Sequence, residues 1–264
     1  MSYLDEFYEN YDEDGRLTSR HGQVEYITTQ RYIRECIGSC GAKRILEVGA
    51  GTGRYSVALA KEGFNVTAVE LVEHNLDILR SKLVESLDLT AIRGNALDLS
   101  RFGDGSFDVT LLLGPMYHLY TFEDKKKALA EAVRVTKPGG YILVSYCMNE
   151  GTIIHYVFSG GNLNEELDKG MIDDDWHCKS EPKEVFELIR TEEIAAIDET
   201  APVERVKLVA TDGATNYMRE TVDEMDDETF AKWVEFHLAT CERGDLVGAS
   251  HHTLDILRKK TAEG

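Results

Sequence analysis

Between Arg44 and Cys147, short apolar segments alternate with segments that have helical periodicity. Strands are predicted in KRILEVGA, NVTAVEL, LTAIRGNA, FDVTLLLG and YILVSYC, and helices in RYSVALAKEG, HNLDILRSKLVESL and EDKKKALAEAVRVT. The connections are short, and FDVTLLLG is apolar on both faces, which is typical of a central strand in a parallel sheet. This alternation predicts an α/β fold in which helices cover both faces of a doubly wound, mostly parallel sheet.

The pattern loosens after Asn149, although further elements are predicted. These are helices in EVFELIRTEEIAAI and DDETFAKWVEFHLATCE, and strands in VERVKLVATDG and HTLDILRKK. The two added strands complete a seven-stranded Rossmann-like sheet, with helical insertions at 150–180 and 213–245 that form a cap. We therefore expect residues 1–40 to be an N-terminal helical segment, 41–148 to be the ligand-binding core, and 149–264 to complete the same domain.

The charge balance limits the ligands that this chain can bind. Its 264 residues include 29 Lys and Arg against 48 Asp and Glu, which gives a formal net charge of −19. A field of this sign repels nucleic acid backbones and anionic membrane surfaces. The composition therefore favours a neutral or cationic small molecule and argues against nucleic acid and membrane partners.

The N-terminus and the cysteines bear on where the protein works. The N-terminus lacks the basic start and apolar core of a secretory signal, and no apolar run reaches the roughly 20 residues of a membrane span. The five cysteines are odd in number and lack zinc-type pairing, which suits reduced thiols. We expect a cytoplasmic monomer or homodimer.

Two segments contain residue types that could bind a metal ion. The polar stretch DDDWHC is more typical of solvated acids beside one packed tryptophan. His251 and His252 open the last predicted strand, and at most one of them should reach the edge of a site, because adjacent strand residues face opposite sides. We therefore expect no metal centre.

The segment ILEVGAGTGRYS joins the first strand to the next helix through Gly49, Gly51 and Gly53. Backbone N–H groups and a helix N-terminus meet at such a turn and can bind an anion. The loop lacks the lysine of a Walker-type phosphate loop, and Arg54 stands where a dinucleotide fingerprint has its last glycine. Both of these nucleotide interpretations are therefore weakened.

Two acidic residues accompany the loop. Glu47, two positions before the first glycine, would repel a pyrophosphate but attract an ammonium group. Glu70 ends the second strand about 20 residues after the loop, where such folds hold a ribose diol. The predicted ligand is a nucleoside that carries an amine and a small anion but no pyrophosphate.

Five segments in order, ILEVGAGTGRYS, Glu70, GNALDL, FDVTLLLG and RVTKPGGYILVS, resemble the motif series of class I S-adenosylmethionine-dependent methyltransferases over roughly residues 40–147. The resemblance implies S-adenosyl-L-methionine as cofactor and S-adenosyl-L-homocysteine as product. It also implies that the methionine part of the cofactor meets Glu47, Gly49, Gly51 and Gly53, while Glu70 binds the ribose hydroxyls and Leu71 packs on the adenine.

The same resemblance implies two further contacts. Asn95, followed by Ala96, stands where the family often has an aspartate that contacts the adenine amino group. An asparagine carbonyl can accept the same hydrogen bond without charge. Leu113, at the end of the fourth strand, would face the sulfonium.

The fourth strand leads into LGPMYHLY at the sheet edge where open parallel sheets bind ligands. Methyl transfer from a sulfonium is an in-line displacement, so the protein positions the acceptor and, where needed, removes its proton. Tyr117 and His118 are the catalytic candidates, with His118 as general base because its ordinary pKa is near neutrality. The alternative is that His118 hydrogen-bonds to backbone and shapes the loop.

The N-terminal segment YENYDEDGRLTSRHG is a second candidate region. In many methyltransferases of this class, the segment before the first strand folds over the cofactor, and Tyr8, Tyr11, Arg20 and His21 could do so here. Arg20 could pair with the cofactor carboxylate. The alternative is an ordinary surface helix with exposed aromatic side chains.

These observations favour transfer of a methyl group to a small-molecule acceptor. In TFAKWVEFHLATC, Phe230, Trp233 and His237 share one stripe, and if this helix covers the active site, a planar or cationic acceptor is expected. The alternatives are methylation of protein or RNA, a non-catalytic S-adenosylmethionine-binding protein, and a dehydrogenase with a similar sheet.

Overall fold

The structure, a computed structural model, describes residues 3–261. Eight strands within this range form one sheet: β1 (Arg44–Val48), β2 (Asn65–Glu70), β3 (Leu89–Arg93), β4 (Phe107–Leu112), β5 (Thr136–Met148), β6 (Leu188–Ile189), β7 (Val203–Ala210) and β8 (His252–Lys259). The α-helices of the same range are α1 (Tyr3–Asn10), α2 (Arg20–Cys40), α3 (Arg54–Lys61), α4 (Glu73–Ser81), α5 (Phe122–Val135), α6 (Asn149–Thr152), α7 (Leu163–Asp168), α8 (Thr191–Asp198), α9 (Arg219–Asp223), α10 (Asp227–Thr240) and α11 (Gly244–Val247). The other helical segments are the 3₁₀ segments Pro115–His118, Pro182–Glu184 and Gly213–Met218 and the π-helical segment Ile153–Ser159.

The strands are arranged in the order β3-β2-β1-β4-β5-β8-β7, and β6 pairs with β5 beside this path. Strands β1 to β6 pair in parallel, whereas β8 lies antiparallel to both β5 and β7. The predicted seven-stranded, mostly parallel sheet is confirmed, with the two-residue β6 as an addition. The strand order reverses between β1 and β4, which opens a crevice at the carboxyl ends of these strands.

Helices cover both faces of the sheet because its central strands are apolar on both sides. In β1, Ile45 faces the layer that includes α2, α3 and α4, while Leu46 and Val48 face the layer that includes α5 and α8. The longest of these helices, α2, begins after Ser19, whose side chain accepts the N–H of Gly22, and ends at Gly41, whose φ is 63°.

Two predicted helices differ from the observed ones. The helix predicted to run to residue 87 ends at Ser81, although Leu83 and Leu87 still pack on the core from the turns that follow. At the end of this helix, Lys82 donates a hydrogen bond to the carbonyl of Thr52 in the glycine loop, at 2.9 Å. The α4 helix is thereby tied to the loop.

The helix predicted in EVFELIRTEEIAAI is wrong in its first half. Leu188 and Ile189 form β6 by pairing with Cys147 and Met148 at the end of β5. The helix α8 begins only at Thr191, since the carboxylate of Glu193 accepts the N–H of Arg190 at 2.7 Å. Tertiary pairing with β5 therefore overrides the local helical pattern.

Among residues 3–261, no helix combines the length and the apolar character that crossing a membrane requires.

Candidate cofactor and acceptor site

The glycine loop follows β1 at the strand-order reversal. Gly49, Gly51 and Gly53 have φ values of 75°, 55° and 83°, which L side chains rarely adopt. A Cβ at Gly49 would come within 2.5 Å of Pro115 Cδ, and one at Gly53 within 2.1 Å of Leu79 Cδ1. Glycine is therefore required at these positions for backbone conformation and, at Gly49 and Gly53, for packing.

Glu70, at the end of β2, is fixed by backbone donors. Its Oε2 accepts the N–H of Gly51 at 2.7 Å and its Oε1 accepts the N–H of Val72 at 2.8 Å. Burial raises the pKa of this carboxyl against the opposing effect of those hydrogen bonds. Each oxygen keeps a second lone pair with which it can accept a ligand hydroxyl.

Glu47 is a fully buried carboxyl on the cavity wall. It accepts a hydrogen bond from the Ser56 hydroxyl and forms no ion pair with another residue in the range 3–261. Burial raises its pKa to about 8. A carboxyl that is buried without a cation is suited to receive a cationic group of a ligand, because the pair would offset the desolvation of the charge.

A cavity of about 250 Å³ lies over these groups. Eight of the eleven predicted cofactor residues line it: Glu47, Gly49, Gly51, Glu70, Leu71, Asn95, Ala96 and Leu113. Leu71 is 42% exposed at its edge, where it offers an apolar surface to a flat ring. The side-chain carbonyl of Asn95 (Oδ1) already accepts the N–H of Leu97, at 2.9 Å, so one lone pair of Oδ1 is left for a ligand.

The structure places the other three predicted cofactor residues elsewhere. Gly53 packs against Leu79 behind the loop. Tyr11 lines a second, larger cavity. Arg20 does not line the cofactor cavity, since its guanidinium pairs with Asp227 at 2.8 Å and lies over the ring of Phe230.

Arg16 is the arginine of the N-terminal segment that lines both cavities. It pairs with Glu25 through two hydrogen bonds of 2.8 and 3.0 Å. Sequence reasoning missed Arg16, and the only available signal was its position before the Ser19 cap of α2. Arg20, the first residue of α2, contacts Asp227 and Phe230 of α10 instead.

The N-terminal segment lies over the cofactor cavity. Leu4, Tyr8, Glu13, Arg16 and Leu17 line that cavity. The carboxylate of Asp14 accepts hydrogen bonds from the Thr52 hydroxyl, at 2.7 Å, and from Lys82. The segment is therefore tied directly to the glycine loop.

The 3₁₀ turn Pro115–His118 carries the two residues that the sequence proposed as catalytic. The hydroxyl of Tyr117 donates to the carbonyl of Leu113 at 3.0 Å, and burial raises its pKa. His118 Nδ1 lies 2.8 Å from the carbonyl of Val185, and its Nε2 lies 3.0 Å from the hydroxyl of Tyr8. Because a carbonyl only accepts, Nδ1 carries the proton and Nε2 accepts from Tyr8.

His118 is therefore engaged on both nitrogens. Burial lowers its pKa to about 4, which keeps the ring neutral near pH 7 and makes it a weak base. These contacts favour the alternative in which His118 shapes the loop.

The larger cavity measures about 860 Å³ and adjoins the first one. Both cavities are lined by Tyr8, Glu13, Arg16, Leu17 and Tyr117. Its other walls come from the end of β5 and from segments within 152–188 and 212–219, together with His251 and His252. Its aromatic lining consists of Tyr8, Tyr11, Tyr117, Tyr156 and Phe186.

The aromatic stripe of α10 is not part of this lining. Neither cavity is lined by Phe230, Trp233 or His237. The ring of His237 packs against Gly213 instead, so closely that a Cβ on this glycine would lie 3.2 Å from the ring. The expectation of an aromatic pocket built from this helix is therefore not supported. The aromatic side chains come from the N-terminal segment and from residues 117, 156 and 186.

Asp212, His251 and His252 form a polar cluster in the wall of the larger cavity. Asp212 Oδ2 lies 3.0 Å from His252 Nδ1, and the Nδ1 atoms of the two histidines are 3.2 Å apart. Burial would raise the pKa of Asp212, but the hydrogen bond and charge of His252 lower it. Both histidines line the cavity, although the sequence analysis expected at most one of them to do so. The reason is that His251 precedes β8, so the alternation of side chains along a strand does not apply to it.

Residues 46–144 match the family model described as a methyltransferase domain. This stretch is therefore similar to a methyltransferase domain, and it covers less than half of the chain. The buried Glu47 without a cation and Glu70 with free lone pairs fit the ammonium and ribose groups of S-adenosylmethionine.

Two curated relatives are similar to part of the chain. A demethylmenaquinone methyltransferase from Renibacterium salmoninarum is 38% identical over 117 residues, which are 44% of this chain and 46% of that protein. A glycine/sarcosine N-methyltransferase from Aphanothece halophytica is 28% identical over 62% of this chain and 63% of its own length. The chain spans about half the length of the first of these relatives.

Solved structures match over nearly the whole chain. The CcbJ methyltransferase from Streptomyces caelestis aligns with a TM-score of 0.61 and 17% identity, covering 99% of both chains. A SAM-dependent methyltransferase from Thermotoga maritima aligns with a TM-score of 0.59 and 20% identity, covering 98% of this chain and 99% of that one. At these identities the likeness shows the fold.

Proposed function

We propose that this protein is an S-adenosylmethionine-dependent methyltransferase that acts on a small-molecule acceptor in the larger cavity. The observation that carries the proposal is the junction of the two cavities, which share five lining residues. Ligands in adjoining cavities can be aligned for displacement, so that the protein contributes orientation more than covalent chemistry. When bound, the cofactor supplies an electrophilic methyl group.

The residues around the smaller cavity would hold the cofactor. Glu70 would accept hydrogen bonds from the ribose hydroxyls, and Glu47 would pair with the ammonium group. Leu71 would pack on the adenine, and Asn95 would accept from its amino group. The contact of Asp14 with Thr52 supports the further proposal that the N-terminal segment covers the cofactor.

Tyr117 and His118 would hold the Pro115–His118 turn in place beside the junction of the two cavities. The Tyr117 hydroxyl is committed to Leu113, and His118 joins Tyr8 of the N-terminal segment to Val185. Together they connect three chain segments that surround both cavities. Their role in this proposal is to fix the boundary against which the acceptor binds.

The lining of the larger cavity supports a neutral or cationic acceptor. Six acidic side chains line it against three from Lys and Arg: Asp12, Glu13, Glu25, Glu166, Glu184 and Asp212 against Arg16, Lys179 and Arg219. An acidic wall attracts cations and repels anions. The relatives are named for acceptors as different as demethylmenaquinone and glycine or sarcosine, so the acceptor does not follow from them.

We further propose that the protein works in the cytoplasm. This proposal rests on its five cysteines, which are all free thiols in the structure and odd in number. Free thiols are typical of proteins in reducing compartments.

The first experiment measures the rise in melting temperature caused by S-adenosylhomocysteine. Glu70→Ala should weaken binding about 10- to 100-fold, since it removes hydrogen bonds to a charged acceptor that contribute about 1.5–3 kcal/mol. Glu73→Ala is the matched control, because Glu73 lies three residues away, is exposed and pairs with Arg80. Glu70→Gln removes the charge but keeps one of the two backbone contacts, because its amide oxygen accepts an N–H and its NH2 group only donates.

Turnover is then assayed with neutral and cationic amines and hydroxyl compounds, with S-adenosylhomocysteine formation as the readout. No change in melting temperature at millimolar ligand would exclude the proposal. If S-adenosylhomocysteine raises the melting temperature of the wild type but not of Glu70→Ala, and no acceptor is turned over, the result would favour a non-catalytic binding protein.

A further inference from the structure

The cluster in the wall of the larger cavity has the composition of a metal site. We propose that Asp212 Oδ2, His251 Nδ1 and His252 Nδ1 bind a divalent ion of the first transition row. This inference goes beyond the proposed function and differs from the sequence-based expectation of no metal centre. It rests on the positions of three side chains from two segments of the chain that are 39 or more residues apart.

The three donor atoms surround a common centre. Their separations are 3.0 Å (Asp212 to His252), 3.2 Å (His251 to His252) and 3.9 Å (Asp212 to His251). A triangle with these sides has a point about 2.0 Å from every corner, which matches the roughly 2.0–2.2 Å bonds of zinc to His nitrogen and Asp oxygen. An ion at this point lies in the plane of the three donor atoms, so further ligands could approach it from either side of that plane.

Other parts of the chain hold the carboxylate in place. Asp212 Oδ1 accepts the Ser250 hydroxyl at 2.6 Å and the N–H groups of His251 and His252 at 3.0 and 3.2 Å. Its other oxygen, Oδ2, is therefore left to face the histidines. Partners of this kind orient metal ligands and contribute to affinity.

The surroundings of the histidines also suit an ion. The ring of His252 contacts the thiol of Cys147, its neighbour on β5, and its Nδ1 lies 3.6 Å from Glu25. Glu25 is itself paired with Arg16, so it adds little net negative charge. Two imidazoles and one carboxylate favour zinc, iron(II) or cobalt over magnesium and calcium, which prefer oxygen ligands.

The site would open toward the acceptor. All three residues line the larger cavity, and the ring centre of His252 is 6.4 Å from that of Tyr117, which also lines the cofactor cavity. Three protein ligands leave coordination positions for a donor atom of a bound molecule. The acceptor side of the protein would therefore favour molecules with an oxygen or nitrogen that can ligate an ion.

The competing arrangement needs no ion. In it, the Nδ1–H of His252 is shared between Asp212 and His251. Binding of a divalent ion would displace this proton to solvent, so the two arrangements predict different behaviour toward added metal.

The test is a titration of chelator-treated protein with Co(II), followed by its visible absorption bands. We expect one ion per chain, and we expect His251→Ala and Asp212→Asn each to weaken binding more than about 100-fold, since even outer partners contribute about 10- to 100-fold. Ser250→Ala should weaken binding about 10-fold. His155→Ala is the control for Co(II) binding, because His155 lines the same cavity outside the cluster.

The melting-temperature change with S-adenosylhomocysteine, measured without metal, shows that each variant is folded. Stoichiometric binding lost in His251→Ala and kept in His155→Ala would support the site. Absence of stoichiometric binding, or binding unaffected by His251→Ala, would overturn it in favour of the shared proton. Either result leaves the cofactor assay interpretable, so this inference and the proposed function fail separately.

Discussion

The cofactor cavity and the larger cavity are built in different ways. The first is formed largely by the ends of consecutive strands and by backbone groups of one glycine loop, within residues 47–119 and the N-terminal segment. The second gathers side chains from residues 8–25, 117, 147–188, 212–219 and 251–252. The proposed site for the methyl donor is thus encoded locally, whereas the proposed acceptor site depends on contacts between distant segments.

The largest effect that distinguishes the two regions is expected at Glu47. Its folded-state pKa of about 8 lies above its ordinary value of 4.5, so the unfolded chain releases this proton at lower pH than the folded chain does. Stability should therefore fall as pH rises from about 4.5 to 8. The contribution is at most about 5 kcal/mol.

Denaturant unfolding of the wild type and Glu47→Gln across pH 5–8.5 measures this effect. The difference in stability between the two proteins should grow in favour of Glu47→Gln as pH rises. The difference between the two proteins cancels the pH dependence that arises from general charge repulsion in an acidic chain, because both proteins share that repulsion. A difference that is constant with pH would mean that Glu47 is ionised in the folded protein.

His118, which lines the cofactor cavity beside Tyr117, should change the stability with pH in the opposite direction. Burial lowers its pKa from 6.5 to about 4, so the unfolded chain binds a proton first as pH falls. Stability should be lost between about pH 6.5 and 4, by at most about 3 kcal/mol.

The variant His118→Gln should lose less stability than the wild type over this range. Tyr8→Phe is the companion variant, since it removes the hydroxyl that contacts Nε2 but keeps the titrating ring. Equal acid sensitivity in the wild type and His118→Gln would show that the ring is not buried in its neutral form.

Eight of the residues predicted to bind the cofactor line the smaller cavity because their sequence signals are local. The glycines, Glu47 and Glu70 each lie within one short segment, and the resemblance to the methyltransferase motifs supplied Leu71, Asn95, Ala96 and Leu113. Arg16 and not Arg20 lines the cavity, and no local pattern in the sequence distinguishes these two arginines, which lie on either side of Ser19.

The acceptor side could not be predicted in the same way. Asp212 meets His251 and His252 only because β7 and β8 pair side by side, and no periodicity in the sequence links positions about 40 residues apart. The prediction for residues 184–197 was partly wrong for the same reason, since the pairing of β6 with β5 is a tertiary contact. Helical periodicity gives no information about such pairings.

The smallest effect compares one glycine from each region. Gly49 has φ 75° and a Cβ there would lie 2.5 Å from Pro115, whereas Gly161, between the π-helical segment and α7, has φ 74° and nothing within 4 Å of a Cβ. Alanine strains the backbone equally at both positions, so the difference in free energy of unfolding between Gly49→Ala and Gly161→Ala reports the packing of the loop alone.

We expect Gly49→Ala to be less stable by about 1–3 kcal/mol, the usual cost of overpacking. Gly49→Ala should also weaken S-adenosylhomocysteine binding, while Gly161→Ala should not. Equal stability of the two variants would mean that the Pro115 turn can move away from the loop, and the cofactor side would then be no more rigidly built than the acceptor side.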